Sequence, residues 1–198
     1  MDYFFLSEED EKASKNPMVV MVDEKTGEKY ARVVASKGLS GSEMDWLVID
    51  MSKELKAWGH GGGPDGHIII KSDNENSIKN IVDALAKHHG GRLVPELSAK
   101  GESPSNGRAE EAGKTTRGFA RVLKFQMDEK AGVEIEEINA VLLWMVRWAA
   151  MMATRFLVGV DGKTAFERKR GRKCRIGVVP FGETVMYKEL GKKTIYGN

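Results

Sequence analysis

Short apolar segments at the start of the chain predict a β-rich beginning. Residues 3–6 (YFFL), 18–22 (MVVMV) and 30–34 (YARVV) are rich in aromatic and β-branched residues, which favour strands. A short glycine-containing turn at residues 24–27 separates the last two segments, so together they predict a β-hairpin. The charged residues 10–15 predict a loop between the first two segments.

Helical and strand-like patterns alternate in the next part of the chain. Residues 43–58, which follow a candidate cap at Ser42, and residues 76–89 place apolar side chains on one helical face. Residues 68–70 (III) predict a buried strand, and residues 92–94 predict another. An antiparallel start followed by strand–helix alternation predicts an α/β fold with a mixed sheet flanked by helices.

The C-terminal part of the chain predicts two long helices and a small β extension. The helices cover residues 107–130 and 134–156, and the second is apolar on almost all sides. Such a helix is expected in the core or at a subunit contact. Residues 176–179 and 184–187 predict two short strands around a turn.

Composition places the chain among ordinary globular proteins. Of its 198 residues, 41% are hydrophobic and 30% are charged. The net charge of +2 does not by itself indicate a nucleic-acid partner, although the C-terminal half is the basic half. A single cysteine, Cys174, excludes an internal disulfide, and no signal-like or membrane-spanning segment is found. We therefore expect an intracellular protein without membrane association.

Three carboxylates occupy positions that suit metal-dependent chemistry. Asp2 lies on the first strand, Asp73 follows the residue 68–70 strand, and Glu110 lies in the first turn of the next helix. If the first and fourth strands are neighbours, these side chains converge, and such a cluster requires a cation to neutralise it. Oxygen ligands alone suit Mg²⁺ or Mn²⁺, and two such ions support phosphoryl transfer. On spacing alone, three ordinary surface acids among the 29 acidic residues remain the alternative.

Three segments resemble the catalytic segments of retroelement integrases, particularly the copia-type retrotransposon branch. They are residues 1–6 (MDYFFL), 68–76 (IIIKSDNEN) and 101–117 (GESPSNGRAEEAGKTTR). The family carries acidic residues in the order Asp, Asp, Glu, and here 36 residues, positions 74–109, lie between the last two. Residues 104–110 (PSNGRAE) match the most specific motif and assign Glu110, rather than Glu111, as the third acid.

The resemblance implies a ribonuclease-H-like fold with a mixed five-stranded sheet and a small C-terminal β extension. Residues 1–160 would form the integrase catalytic core with a shortened first strand, and residues 161–198 a basic linker and the β extension. The implied activity is a polynucleotidyl transferase that trims DNA 3′ ends and joins them to target DNA, with Asp2, Asp73 and Glu110 holding two Mg²⁺ or Mn²⁺ ions. The implied partners are DNA and further copies of the chain, in the nucleus.

Two other functions remain open at this stage. A ribonuclease-H-type nuclease of the same fold would cut an RNA–DNA hybrid without strand transfer. The chain could also be a non-catalytic remnant that binds DNA or takes part in assembly. The shortened first strand favours this alternative, and so does Glu75, which stands where the family often has glycine.

A basic stripe follows Glu110 along its predicted helix. Its members lie 4, 7, 11 and 14 positions after Glu110 and are Lys114, Arg117, Arg121 and Lys124. At about 100° per residue they share one face, which would suit a phosphate backbone, while a solvated helix face is the alternative. In the resembling family, Lys114 and Arg117 match basic positions that touch the DNA end, and Asn106 of the matched motif is expected to contact DNA as well.

A second basic cluster lies at residues 168–175 (RKRGRKCR). It suits DNA binding, a nuclear-import patch or a solvated linker equally well.

Overall fold

The computed structural model describes residues 1–61, 66–98, 106–132, 134 and 140–186. Its strands are β1 (Asp2–Phe4), β2 (Met18–Val22), β3 (Lys29–Val33), β4 (His67–Ser72) and β5 (Arg92–Leu97). Its helices are α1 (Glu8–Ala13), α2 (Gly41–Ala57), α3 (Asn76–His89), α4 (Gly107–Ala131), α5 (Ala140–Phe156) and α6 (Ala165–Arg170). From β2 to α5, the observed order of strands and helices agrees with the predicted order.

The five strands of the described residues form two sheets. Strands β1, β2 and β3 form an antiparallel sheet in that order, whereas β4 and β5 pair in parallel. The Met1 amine nitrogen donates to the Lys71 carbonyl at 2.6 Å, so β1 and β4 are neighbours. The prediction of one continuous five-stranded sheet is not confirmed, because the described strands form separate sheets of three and two strands.

Side-chain alternation along β2 builds a core on each face of the antiparallel sheet. Val19 and Met21 point to a cluster that includes α2 and α3, whereas Met18 packs against α4 and α5. Successive residues of a strand point to opposite faces, so one short strand contributes to both clusters. The result is a three-layer arrangement of helices, sheet and helices.

The termini of α3 and α4 agree with the sequence prediction. Helix α3 ends at Gly90, which adopts a left-handed conformation with φ of 78°. Helix α4 buries small side chains, Ala109, Ala112 and Ala120 among them, against the sheet. Gly113 faces the Phe4 ring, and a Cβ at this position would lie 3.4 Å from the ring. These small residues allow α4 to approach β1 closely.

Two predictions from the sequence are wrong. Part of the segment predicted as a charged loop forms α1, which Ser7 caps by accepting the Asp10 amide at 3.0 Å. The predicted C-terminal β extension is absent from the described residues, since 176–186 form no strand and Tyr187 lies outside them. Ile176 and Val185 are 60% and 54% exposed, so no other described segment packs over them to stabilise an extended pair.

Helix α5 carries apolar side chains on its exposed face as well as on its buried one, as the sequence predicts. Met145, Val146 and Ala149 are buried, whereas Leu143 and Trp144 are 47% and 72% exposed. Residues 135–139 of the helix predicted at 134–156 lie outside the described part. Among the helices that the structure describes, none is long and apolar enough to cross a membrane.

Candidate active site

Strands β1 and β4 bring Asp2 and Asp73 to the same place. Asp2 is the first residue of β1, and Asp73 directly follows the last residue of β4. The hydrogen bond from Met1 to the Lys71 carbonyl fixes the register, so the two aspartates follow this contact on adjacent strands. The first and fourth strands are therefore adjacent, as the expected convergence of these side chains requires.

Glu110 reaches the same region from α4. It lies in the first turn of that helix, one turn before Gly113, where the helix packs against Phe4 of β1. A cleft of about 170 Å³ opens between β1 and α4. Two of the three acids, Asp2 and Glu110, line this cleft. The first two basic residues of the stripe, Lys114 and Arg117, line it as well.

The carboxylates influence one another electrostatically. The pKa of Asp2 is raised from 3.8 to about 6, mainly by burial and to a smaller extent by the negative charges of Asp73 and Glu110. The Tyr3 backbone N–H, which donates to Asp2 Oδ1 at 2.8 Å, and the charge of the N-terminal amine act in the opposite direction. Burial therefore makes the ionised form of Asp2 unfavourable, and the two other acids add to the effect.

The donor set suits a hard divalent cation, but its ligands are not preassembled. Carboxylate oxygens without cysteine or histidine are typical of Mg²⁺ and Mn²⁺ sites. Within the described residues, no three His, Cys, Asp or Glu side chains are grouped closely enough to hold a metal ion. Asp73 is exposed, and its Oδ1 accepts the Asn74 backbone N–H at 2.6 Å. Repulsion between carboxylates opposes closer approach.

Asn106 contacts an acid of the site. Its Nδ2 donates to Asp2 Oδ2 at 3.1 Å. Together with the Tyr3 N–H, this bond fixes both oxygens of the Asp2 carboxylate. The sequence motif indicated that Asn106 belongs to the site, but the prediction of a DNA contact did not include this positioning of Asp2.

The additional charge of Glu75 has partners of its own. Its Oε2 pairs with Lys37 Nζ at 3.1 Å, and its Oε1 accepts the Ser77 hydroxyl at 2.8 Å. Lys37 also lies over the Tyr3 ring, 5.1 Å from its centroid. The pairing of Lys37 with Glu75 could not be predicted from local patterns, because the two residues lie far apart along the chain. Its ammonium compensates the charge that departs from the family pattern.

The four members of the basic stripe have different environments. Lys114 is exposed and lies 3.8 Å from Glu110, and Arg117 lines the cleft. Arg121 donates from Nε and Nη2 to the Leu6 carbonyl at 3.0 and 2.6 Å. Lys124 pairs with Asp128 and Glu134 at 2.8 and 3.4 Å. Only the first two of the four line the cleft of the acids.

The second basic cluster begins within α6. Thr164 and Glu167 form a reciprocal capping box at the start of this helix. Arg168 donates from Nε to Asp161 at 2.9 Å and from Nη1 to the Thr26 carbonyl at 3.1 Å. At least this member of the cluster has a structural role.

Comparison with solved structures identifies the fold. The catalytic core domain of BIV integrase aligns with a TM-score of 0.51 and 15% identity, covering 78% of this chain and 86% of that one. A chain of the simian T-cell lymphotropic virus intasome, in complex with PP2A regulatory subunit B56 gamma, aligns with a TM-score of 0.53 and 13% identity. That match covers 88% of this chain and 54% of the other. No protein-family model and no curated protein matches the sequence.

These likenesses define the class of fold. The chain has the ribonuclease-H-like fold of retroviral integrase catalytic cores. It spans about half the length of the intasome chain that it matches.

The raised pKa of Asp2 predicts a pH-dependent gain in stability from Asp2→Asn. Asp2 binds its proton more tightly in the folded protein than in the unfolded chain. Its contribution to stability is therefore fully present below the unfolded pKa of 3.8 and is lost as the pH rises through the folded pKa of about 6. Burial also lowers the pKa of the Met1 amine to about 6, so at pH 7.5 this amine is neutral and does not offset the Asp2 charge. In the absence of divalent ions, the variant should melt higher than wild type at pH 7.5, and the difference should shrink towards pH 4.5.

Thermal melts in EDTA at both pH values measure this difference. Asp83→Asn, which alters an exposed carboxylate on α3, is the matched control. A gain for Asp2→Asn that stays the same at both pH values would show that charge burial is not its cause.

Proposed function

We propose that this protein is a metal-dependent polynucleotidyl transferase that processes DNA 3′ ends and joins them to target DNA. The observation that supports this most directly is the position of Asp2 and Glu110 in one cleft, with Asp73 just beyond the end of β4, the strand that Met1 contacts. The integrase-core fold is consistent with the same chemistry. The copia-type assignment rests on the sequence motifs, and nuclear action on the same resemblance.

The proposed mechanism gives each of the candidate site residues a distinct role. Asp2, Asp73 and Glu110 would hold Mg²⁺ or Mn²⁺, proposed as two ions, which when bound activate an attacking oxygen and stabilise the leaving oxygen. Asn106 positions the Asp2 carboxylate through its 3.1 Å hydrogen bond. Lys114 and Arg117 lie beside the acids and would bind DNA phosphates there.

Association with further copies of the chain is part of the proposal. Trp144 and Leu143 on the outer face of α5 are large exposed apolar side chains, typical of a protein contact. The matched intasome chain belongs to a larger assembly, which is consistent with such association.

Asp73→Asn should abolish metal-dependent DNA processing without unfolding the protein. Asp73 is exposed beyond the end of β4, so the amide should not disturb the core, whereas losing a ligand should reduce the rate at least about 100-fold. The assay follows a labelled DNA end in Mn²⁺, with Asp83→Asn as the control. Joined product in the control supports a transferase, cut product alone indicates a nuclease, and binding alone indicates a non-catalytic remnant. Unchanged processing by folded Asp73→Asn would remove Asp73 from the site.

The structure divides the basic stripe into two pairs for a second test. The Lys114→Ala and Arg117→Ala double variant should reduce the slope of log binding constant against log salt by roughly one unit per lost phosphate contact. The Arg121→Ala and Lys124→Ala double variant removes the same charge but should change the slope less, because these side chains bind Leu6, Asp128 and Glu134. Equal slopes for the wild type and the Lys114→Ala and Arg117→Ala double variant would show that DNA does not bind along these two residues.

A further inference from the structure

The loop between β3 and α2 places a lysine against β1. Lys37 Nζ lies 5.1 Å from the centroid of the Tyr3 ring and 5.5 Å from that of the Phe5 ring. The two aromatic residues are two positions apart in an extended segment, so their rings share one face. An ammonium group is attracted to the negative face of an aromatic ring. Lys37 therefore holds one face of β1 and of the residue that follows it.

Helix α4 holds the opposite face of β1. Phe4 points the other way from its two neighbours and packs against Gly113 of α4. By the same alternation, Asp2 points to this second face, and it lines the cleft there together with Glu110. In the described residues, β1 pairs with β2 alone. Lys37 and α4 thus fix the strand that carries Asp2 from its two sides.

The same lysine reaches the turn that carries Asp73. Its Nζ pairs with Glu75 Oε2 at 3.1 Å. Glu75 is the N-cap residue of α3, two positions after Asp73, and its side chain does not cap the helix. The other oxygen, Oε1, accepts the Ser77 hydroxyl at 2.8 Å, so both oxygens of this carboxylate have partners. The turn from β4 into α3 is thereby tied to Lys37.

Glu75 lies close enough to β1 for its charge to act on Tyr3. The pKa of the Tyr3 hydroxyl is raised, first by burial and next by the negative charge of Glu75. Tyr3 directly follows Asp2, and Glu75 follows Asp73 by two positions. One lysine therefore joins the two backbone segments that carry the first two acids of the candidate site.

We propose that Lys37 is a positioning residue of the candidate active site, whose contacts with Tyr3 and Glu75 hold Asp73 at a fixed distance from Asp2. This role rests on the proposed function, in which both acids hold the metal. The side chains of Lys37 and Glu75 are 36% and 35% exposed, and an ion pair of this kind contributes little to stability. The pair orders the site rather than stabilising the core.

The sign of the effect on metal binding separates positioning from simple charge. Lys37→Met removes a positive charge and leaves Glu75 without its ion pair. Coulomb's law alone then predicts tighter binding of Mn²⁺. Loss of positioning predicts weaker binding, because the carboxylates no longer hold the geometry that the ion requires.

Two amides report on the acids in the metal-free protein. The Tyr3 N–H donates to Asp2 Oδ1 at 2.8 Å, and the Asn74 N–H donates to Asp73 Oδ1 at 2.6 Å. Hydrogen exchange of both amides, followed by nuclear magnetic resonance, should be about 3-fold faster or more in Lys37→Met than in the wild type.

Two further variants serve as controls. Lys37→Arg keeps the charge and can stack on the Tyr3 ring, so both amides should exchange as in the wild type. Lys87→Met removes the charge of an exposed lysine at the far end of α3 and should change neither amide. Melting temperatures of all three variants should stay within about 4 °C of the wild type, as for the loss of an exposed ion pair.

Mn²⁺ affinity is measured on the same samples by electron paramagnetic resonance. It should fall about 3- to 10-fold in Lys37→Met, the range expected for one exposed ion pair and its ring contacts. It should stay at the wild-type level in Lys37→Arg and in Lys87→Met.

Each outcome decides the proposal. Faster exchange of both amides and weaker Mn²⁺ binding in Lys37→Met, but not in the other two variants, support it. Unchanged exchange of either amide would overturn it, and so would Mn²⁺ binding in Lys37→Met that equals or exceeds that of the wild type. Lys37→Arg behaving like Lys37→Met would overturn it as well. If the wild type binds no Mn²⁺, the proposed function fails, whereas faster exchange of both amides in Lys37→Met would still assign the positioning of Asp2 and Asp73 to Lys37.

Discussion

The contact between Met1 and Lys71 determines where the candidate chemistry lies. One hydrogen bond of 2.6 Å places β1 beside β4, and with it Asp2 beside Asp73. Without this adjacency, the first acid would belong to the antiparallel sheet and the second to the parallel pair, with no reason to meet. The close packing of Gly113 against Phe4 then brings α4, and therefore Glu110, to the same strand.

Burial of Asp2 beside two other acids has an electrostatic cost. The pKa of Asp2 is raised to about 6 by burial, with further contributions from Asp73 and Glu110. A fold that needed only stability would gain from a neutral residue at this position. Asn106 and the Tyr3 N–H offset part of the cost by donating to the Asp2 carboxylate. Under the proposed function, a bound cation would complete the charge balance.

Local signals in the sequence were sufficient for much of this fold. Helix α3 was predicted at its observed bounds, because apolar periodicity and Gly90 mark it clearly. Helix α1 was missed, since six charged or small residues show no apolar periodicity and only Ser7 indicates a cap. The C-terminal strands were wrongly predicted because, in the described part of the chain, residues 176–186 pair with no other segment and β propensity alone does not make a strand. The pairing of Glu75 with Lys37 and the bond from Asn106 to Asp2 depend on tertiary contacts that local patterns do not contain.

Mn²⁺ binding by two adjacent glutamate variants tests the central claim most directly. Glu110 lines the cleft with Asp2, whereas Glu111 is exposed and contributes electrostatically to Lys29. Binding of Mn²⁺, followed by electron paramagnetic resonance, should be weakened at least about 10-fold in Glu110→Gln and unchanged in Glu111→Gln. Equal Mn²⁺ affinity in wild type and Glu110→Gln would contradict a metal site built from Asp2, Asp73 and Glu110.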